Sequence, residues 1–223
     1  MNDITTESPQ SRLRRALWAG DASTRLQAAL TAGTNPDQAY IDVLVERCSE
    51  EPDFFVRDML TWALTRHDRD LTVDRLLPEL ASASPLARSQ ALHTLSKIRD
   101  PRTWPAITDD LLMDEDAEVA RAAWRTAAGV VPTGEEENLA RKLATQFGRG
   151  EPETQRSLSR AFAVLDEAVE SIVVAETHNV DPLISAHAMA TLAIMADPDT
   201  GFEAAIAEAK RVVALQSAPA VAD

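Results

Sequence analysis

The chain has 223 residues, is 45% hydrophobic but only 4% aromatic, and holds 7 glycines and one cysteine. Its 36 acidic and 22 basic side chains leave a formal charge of -14, which disfavours a broad phosphate-binding surface, because such a surface needs a net basic face to release counterions. Cys48 has no intrachain disulfide partner, the segment 1–10 lacks the apolar core of a signal peptide, and no apolar run reaches the roughly 18 residues of a membrane span, so a soluble cytoplasmic protein is expected.

Residues 1–8 read as a disordered tail, and a first helix is predicted over 9–19. An arginine then sets a period. Arg25, Arg57, Arg88, Arg121 and Arg156 are separated by 32, 31, 33 and 35 residues, and Ser185 stands in the arginine slot 29 residues later. Apolar or small residues recur at offsets +3, +6 and +7 and usually at -1, as in Val56, Leu60, Ala63 and Leu64. Those offsets share one face of a helix of 3.6 residues per turn, so each arginine opens an amphipathic helix of about 14 residues. The closest internal match is SPLARSQALHTL (84–95) against DPLISAHAMATL (181–192).

A partner helix is predicted before each later arginine or its slot, over 36–48, 72–81, 102–112, 135–147 and 167–177, and a last helix over 199–215 should cap the stack. Asp21, Ser84 and Asp181 are N-cap candidates. Gly20, Gly33, Gly148 and Gly150 mark helix stops, and Pro78 and Pro105 predict a kink or a late start. Residues 217–223 should fray. A lone unit of this kind cannot bury its own apolar face, so 9–216 is expected to be one continuous all-α array with no linker.

A helix, a turn carrying an acid, then a helix opening on an apolar residue and arginine resembles a HEAT repeat, most clearly in DFFVRDMLTWAL (53–64) and in 104–128. The period of about 32 is short for HEAT, which runs nearer 40, and fits better the short HEAT-like repeats of phycobilin lyases. The resemblance implies an all-α, right-handed α-solenoid of about six helical hairpins plus the capping helix. It also implies a ladder of turn acids and arginines between units: Asp21 with Arg25, Asp53 with Arg57, Asp116 with Arg121 and Glu151 with Arg156. Ser84 replaces the acid before Arg88 and Ser185 the arginine after Asp181, leaving units three and six without a full pair.

In such stacks the second helices line a concave face. Offsets +1, +4, +5 and +8 lie opposite the core positions and are expected to face solvent there. They place Asp58, Trp62, Ser89 and His93 together across units two and three, and Arg125 and Arg160 around a small-residue floor further on. A tryptophan beside a carboxylate and an imidazole is a natural anchor for a peptide or planar ligand. Trp18, Trp104 and Trp124 read as packing residues. The acids Asp109, Asp110, Asp114, Glu115, Asp116 and Glu118 crowd one short stretch, but the segment lacks the alternation and central glycine of a calcium loop. No phosphate loop, HExxH, CxxC or GxSxG is present, so no cofactor or metal is expected.

These features point to a non-catalytic scaffold that binds a protein or peptide. One alternative is an enzyme similar to the HEAT-like alkylpurine DNA glycosylases, with Asp58 and Trp62 at the base and Arg66, Arg125 and Arg160 on phosphates; the net charge opposes it. Another is a regulatory subunit that docks a basic partner on residues 161–223, where ten acids face only Lys210 and Arg211.

Overall fold

The structure, a computed structural model, describes residues 8–165 and 169–216. The expected tails at 1–7 and 217–223, and the first two residues of the helix predicted over 167–177, lie outside the described residues. Every regular element among the described residues is helical. None of these helices is long and apolar enough to cross a membrane. The chain divides into two compact units, Met1–Ala106 and Ile107–Asp223.

In the first unit, α1 (Pro9–Leu17), α3 (Ile41–Cys48) and α5 (Arg69–Leu76) are first helices of hairpins. Their partners are α2 (Ala22–Thr34), α4 (Phe54–Leu64) and α6 (Pro85–Ile98). Each second helix packs on its own first helix, and α4 also packs on α2 and α6. In the second unit α7 (Asp109–Leu112), α9 (Glu136–Ala144) and α11 (Glu170–Glu176) pair with α8 (Ala117–Val130), α10 (Pro152–Leu165) and α12 (Pro182–Ala196). The last helix, α13 (Phe202–Gln216), lays Phe202, Ala205, Ile206, Ala209 and Val213 on Ala186, Ala190 and Ile194 of α12, closing the stack as expected.

The predicted periodicity places the core. Leu17, Leu44, Leu60, Leu64, Leu92 and Leu95 fill the first unit; Trp124, Leu139, Leu143, Leu158 and Phe162 fill the second. The prolines act as anticipated. Helix α5 gives way to a 3-10 turn, Leu77–Ala81, at Pro78, and Pro105 sits in another, Pro101–Ala106, which delays α7 to Asp109. A proline ring removes an amide donor and clashes with the preceding turn, so an α-helix does not run through it.

The turn acids have a different task from the one the ladder assigns them. Asp21, Asp53 and Asp181 accept the backbone N–H groups of Thr24, Val56 and Leu183, and Asp116 accepts those of Glu118 and Val119. Ser84 caps Ala87 in the same way, so the acid is replaceable by any good N-cap. Glu151 bonds through its carbonyl, to the Thr154 and Gln155 amides.

The arginines reach backwards. Arg25 donates to the carbonyls of Ala19 and Gly20, Arg57 to those of Glu51 and Pro52, and Arg88 to those of Ser82 and Ala83, always five and six residues upstream. In the second unit the slot changes function. Arg121 pairs with Glu118 and Glu153, Arg156 with Glu203, and Ser185 donates to the carbonyl of Thr177 at 2.6 Å.

Two further sets of inter-repeat ion pairs are present, and neither uses Asp21, Asp53, Asp116 or Glu151. One is buried. Glu51, fully enclosed, takes Arg25 through both oxygens at 2.8 Å, Arg47 at 2.7 and 2.8 Å, and the Asp53 amide at 2.9 Å. Burial alone would raise the Glu51 carboxyl, but Arg25, the Asp53 amide and Arg47 outweigh it and hold the pKa at about 2. The other is exposed and runs along the first helices. Arg14 pairs with Glu46, Arg75 with Asp42, Arg102 with Asp70, and Lys142 with Asp109, partners 32 or 33 residues apart.

Candidate binding surface

Helix α4 carries the most distinctive surface in the first unit. Asp53 caps the helix, so Phe54 and Phe55 fall at its first two positions, ahead of the turn that packs inward. Both rings stand in solvent, 65% and 72% exposed, edge to face with centroids 5.6 Å apart. The Arg57 guanidinium lies 5.9 Å from the Phe54 ring. Phe55, Asp58 and Trp62 recur at i, i+3 and i+7, which puts them on one ridge. Asp58 is exposed and Trp62 is 37% exposed.

Trp62 is both exposed and packed. Its indole lies on Gly33 of α2, where an added Cβ would stand 2.3 Å from Trp62 Cζ3 and 2.8 Å from Ala63 Cα. Gly33 therefore serves close packing in the last turn of α2, which stops one residue later, at Thr34. Leu30, one turn earlier on α2, is 38% exposed and adds apolar surface. The ridge thus offers aromatic faces around one carboxylate, a composition suited to an apolar or cationic side chain.

The other predicted contacts divide. His93 is half-buried on α6. Ser89 is buried and donates to the carbonyl of Leu86, so it does not reach the outer face. The reason is general. Offsets +1, +4 and +5 were read as solvent-facing, yet Ser89, Ala122 and Ala186 at +1, and Thr61, Leu92, Thr126, Ala161 and Ala190 at +4 and +5, are buried. A second helix buries one stripe against its first helix and others against the second helices beside it. The Thr61 and Thr94 hydroxyls meet at 3.4 Å between α4 and α6, and those of Ser159 and Thr191 at 2.7 Å between α10 and α12. Arg125 and Arg160, by contrast, are exposed as expected, on α8 and α10 of the second unit.

The tryptophans expected to pack do so to different degrees. Trp124 is fully buried and donates its indole N–H to the Leu112 carbonyl at 2.8 Å. Trp18 and Trp104 are half-buried, and the Arg14 and Arg47 guanidiniums lie 5.0 and 5.3 Å from the Trp18 ring.

Of the four histidines, His187 has the most defined environment. It is fully buried between Phe147 and Phe202. The Gly148 amide donates to Nδ1 at 3.0 Å, so the ring proton sits on Nε2 and bonds the Gln155 carbonyl at 3.0 Å. Burial depresses its pKa to about 4, against a smaller upward push from Gln155. Burial likewise pushes the Cys48 thiol up to about 12, which leaves it protonated and inert. Among the described residues no group of three His, Cys, Asp or Glu side chains is arranged to hold a metal ion.

Stacked helical hairpins with an outward-facing ridge define a repeat protein, and the family comparison specifies the repeat. Residues 41–129, from the start of α3 nearly to the end of α8, match the model of HEAT repeats. That match is in line with the resemblance drawn from the turn acids and arginines of this stretch. No curated protein matches the sequence. Among solved structures, an engineered protein, Northeast Structural Genomics Consortium target OR329, is similar at 17% identity and a TM-score of 0.49, over 94% of this chain and 98% of that one. The complex of CpcE and CpcF of phycocyanin lyase from Nostoc sp. PCC7120 is similar at 17% identity and a TM-score of 0.49, over 100% of this chain and 94% of that one.

Proposed function

We propose that this chain is a non-catalytic scaffold that holds a protein or peptide segment on the outward ridge of α4, with Phe54, Phe55 and Trp62 as anchors and Asp58 as the polar contact. One observation supports this reading above the others: three large aromatics of a single helix are exposed, while Trp124, Phe147, Phe162 and Phe202 are buried. Exposed aromatics grouped around a carboxylate have the composition of an interface centre, where aromatic side chains carry most of the binding energy. The repeat architecture supports it too, since stacked hairpins present extended surfaces for partners.

The experiment is affinity capture of partners with the wild-type chain and with Phe55→Ser, a substitution on a side chain that is mostly in solvent. Loss of an anchoring aromatic typically costs about 2 kcal/mol or more, so capture should fall by at least roughly tenfold while the far-ultraviolet spectrum stays helical. Full retention of every partner by both Phe55→Ser and Phe54→Ser places binding elsewhere.

A further inference from the structure

Helix α13 closes the stack against α12, with no further helix outside it among the described residues. An outermost element with neighbours on one side only is the part of a solenoid that opens at the lowest cost. A buried imidazole meets the start of this helix. The His187 ring stands edge-on to Phe202 of α13, centroids 6.0 Å apart, and edge-on to Phe147 at 5.0 Å.

Both ring nitrogens are committed in the neutral form. Nδ1 accepts the Gly148 amide at 3.0 Å. The Nε2 proton lies between the Gln155 carbonyl at 3.0 Å and the Ser159 hydroxyl at 3.2 Å. One side chain of α12 thus ties the turn before α10 and α10 itself, and packs on α13. A second proton has only Nδ1 to go to, where it would face the Gly148 N–H, donor against donor. The charged ring would also lie between two phenylalanines, without the paired partner a buried cation requires.

The charged groups of the surrounding elements are turned elsewhere. In the turn before α10, Arg149 donates to the carbonyls of Asp114 and Glu115. On α10, Arg156 pairs with Glu203 of α13 and Glu153 with Arg121, while Glu151 and Arg160 are exposed. On α11, Glu176 accepts from Asn179, His178 bonds the Thr177 hydroxyl, and Glu170 is exposed. On α13, Glu208 pairs with Arg211 and Lys210 is exposed. Helix α12 has no other titratable side chain. Among the described residues no carboxylate bonds the His187 ring.

The nearest outlet is beside Phe202. A cleft of about 390 Å³ lies between α10, the end of α12 and the start of α13, with Asp199 and Glu203 in its lining. Outward movement of Phe202 would join the imidazole to solvent and to those two carboxylates, the partners an imidazolium needs.

We propose that His187 is a proton-operated latch on the closing helix: with the ring neutral α13 stays seated, and uptake of one proton at Nδ1 releases α13 and bares Ala186, Ala190 and Ile194 of α12. The device is independent of the α4 ridge.

The test is hydrogen exchange of the full chain, read by mass spectrometry at pH 7.5 and 5.0, with each rate divided by the intrinsic rate at that pH. Opening that frees the ring takes up as much as one proton, because a free imidazole titrates near 6.5 and the seated one near about 4. The opening constant of α13 peptides should therefore rise about twentyfold at pH 5.0, while peptides from α3 and α4 change by less than about threefold. His187→Gln and His187→Asn, neutral at both pH values, should remove the rise, and His178→Gln should keep it. The ratio between the two pH values is the readout, so a variant that loosens α13 equally at both still reports. A flat wild-type ratio in α13, an equal rise in α3 and α4, or a rise retained by both His187 variants each overturns the latch.

Discussion

At the scale of single residues, three buried contacts carry consequences that are measurable one at a time. Glu51 holds Arg25 and Arg47 together, and removing it strands two guanidiniums that are nearly enclosed. Breaking a buried pair in this way costs about 3–5 kcal/mol, so Glu51→Ala should lower the chemical-denaturation midpoint sharply. Its folded pKa of about 2 lies below the ordinary 4.5, so its contribution is present above pH 4.5 and lost as the pH falls toward 2. His187 has the opposite chemistry but the same direction. Its folded pKa of about 4 lies below 6.5, so above 6.5 both states are neutral and nothing is lost. As the pH falls through that interval the unfolded chain takes a proton that the folded ring refuses, and stability drops by up to about 3 kcal/mol. Urea titrations at pH 7 and pH 5 should show wild type losing more stability than His187→Gln; parallel losses remove His187 from the account. Gly33 is limited by volume. Gly33→Ala drives a methyl into Trp62 and the Ala63 backbone, an overpacking cost of about 1–3 kcal/mol readable as a lower Tm.

At the scale of helices, capping explains why the repeat tolerates variation in its turn. Asp21, Asp53, Ser84, Asp116 and Asp181 all accept first-turn amides, and a serine does this about as well as an aspartate. The sequence offered Asp21, Ser84 and Asp181 as N-caps and also paired Asp21, Asp53 and Asp116 with the arginines, because the spacing fits both roles; the fold shows these carboxylates turned back to their own helices. Helix α6 ends differently. Arg99 closes it in the left-handed region at φ 54, a conformation glycine adopts without strain. Arg99→Gly should therefore stabilise the first unit by about 1 kcal/mol, seen as a Tm increase, because the Arg69 contact is to the Arg99 carbonyl and survives the substitution. An unchanged or lower Tm would show that the arginine side chain itself contributes at the cap.

For the molecule as a whole, the helical period read from the arginines located the hairpins, the core and the closing helix, because burial against a first helix imposes one stripe at 3.6 residues per turn. It misjudged Ser89 because that stripe is not the only buried one: the second helices also bury flanks against each other, and a single repeat carries no mark of its neighbours. Phe54 and Phe55 were legible as residues and not as surface, since two phenylalanines at a helix start are usually read as packing. The charged ladder along the first helices was likewise concealed, its partners lying 32 or 33 residues apart with no local signature. Being exposed and screened by solvent, those pairs contribute little, so Lys142→Ala should barely move the unfolding midpoint. The carbonyl-gripping arginines have a consequence of another kind. Arg57 and Arg88 fasten each hairpin to its own turn, with donor and acceptors supplied by the same stretch of chain. A unit built so has its turn closed before any neighbour is in place. A hairpin copied as a block would bring that closure along, and would still need the hairpins on either side to cover its apolar faces.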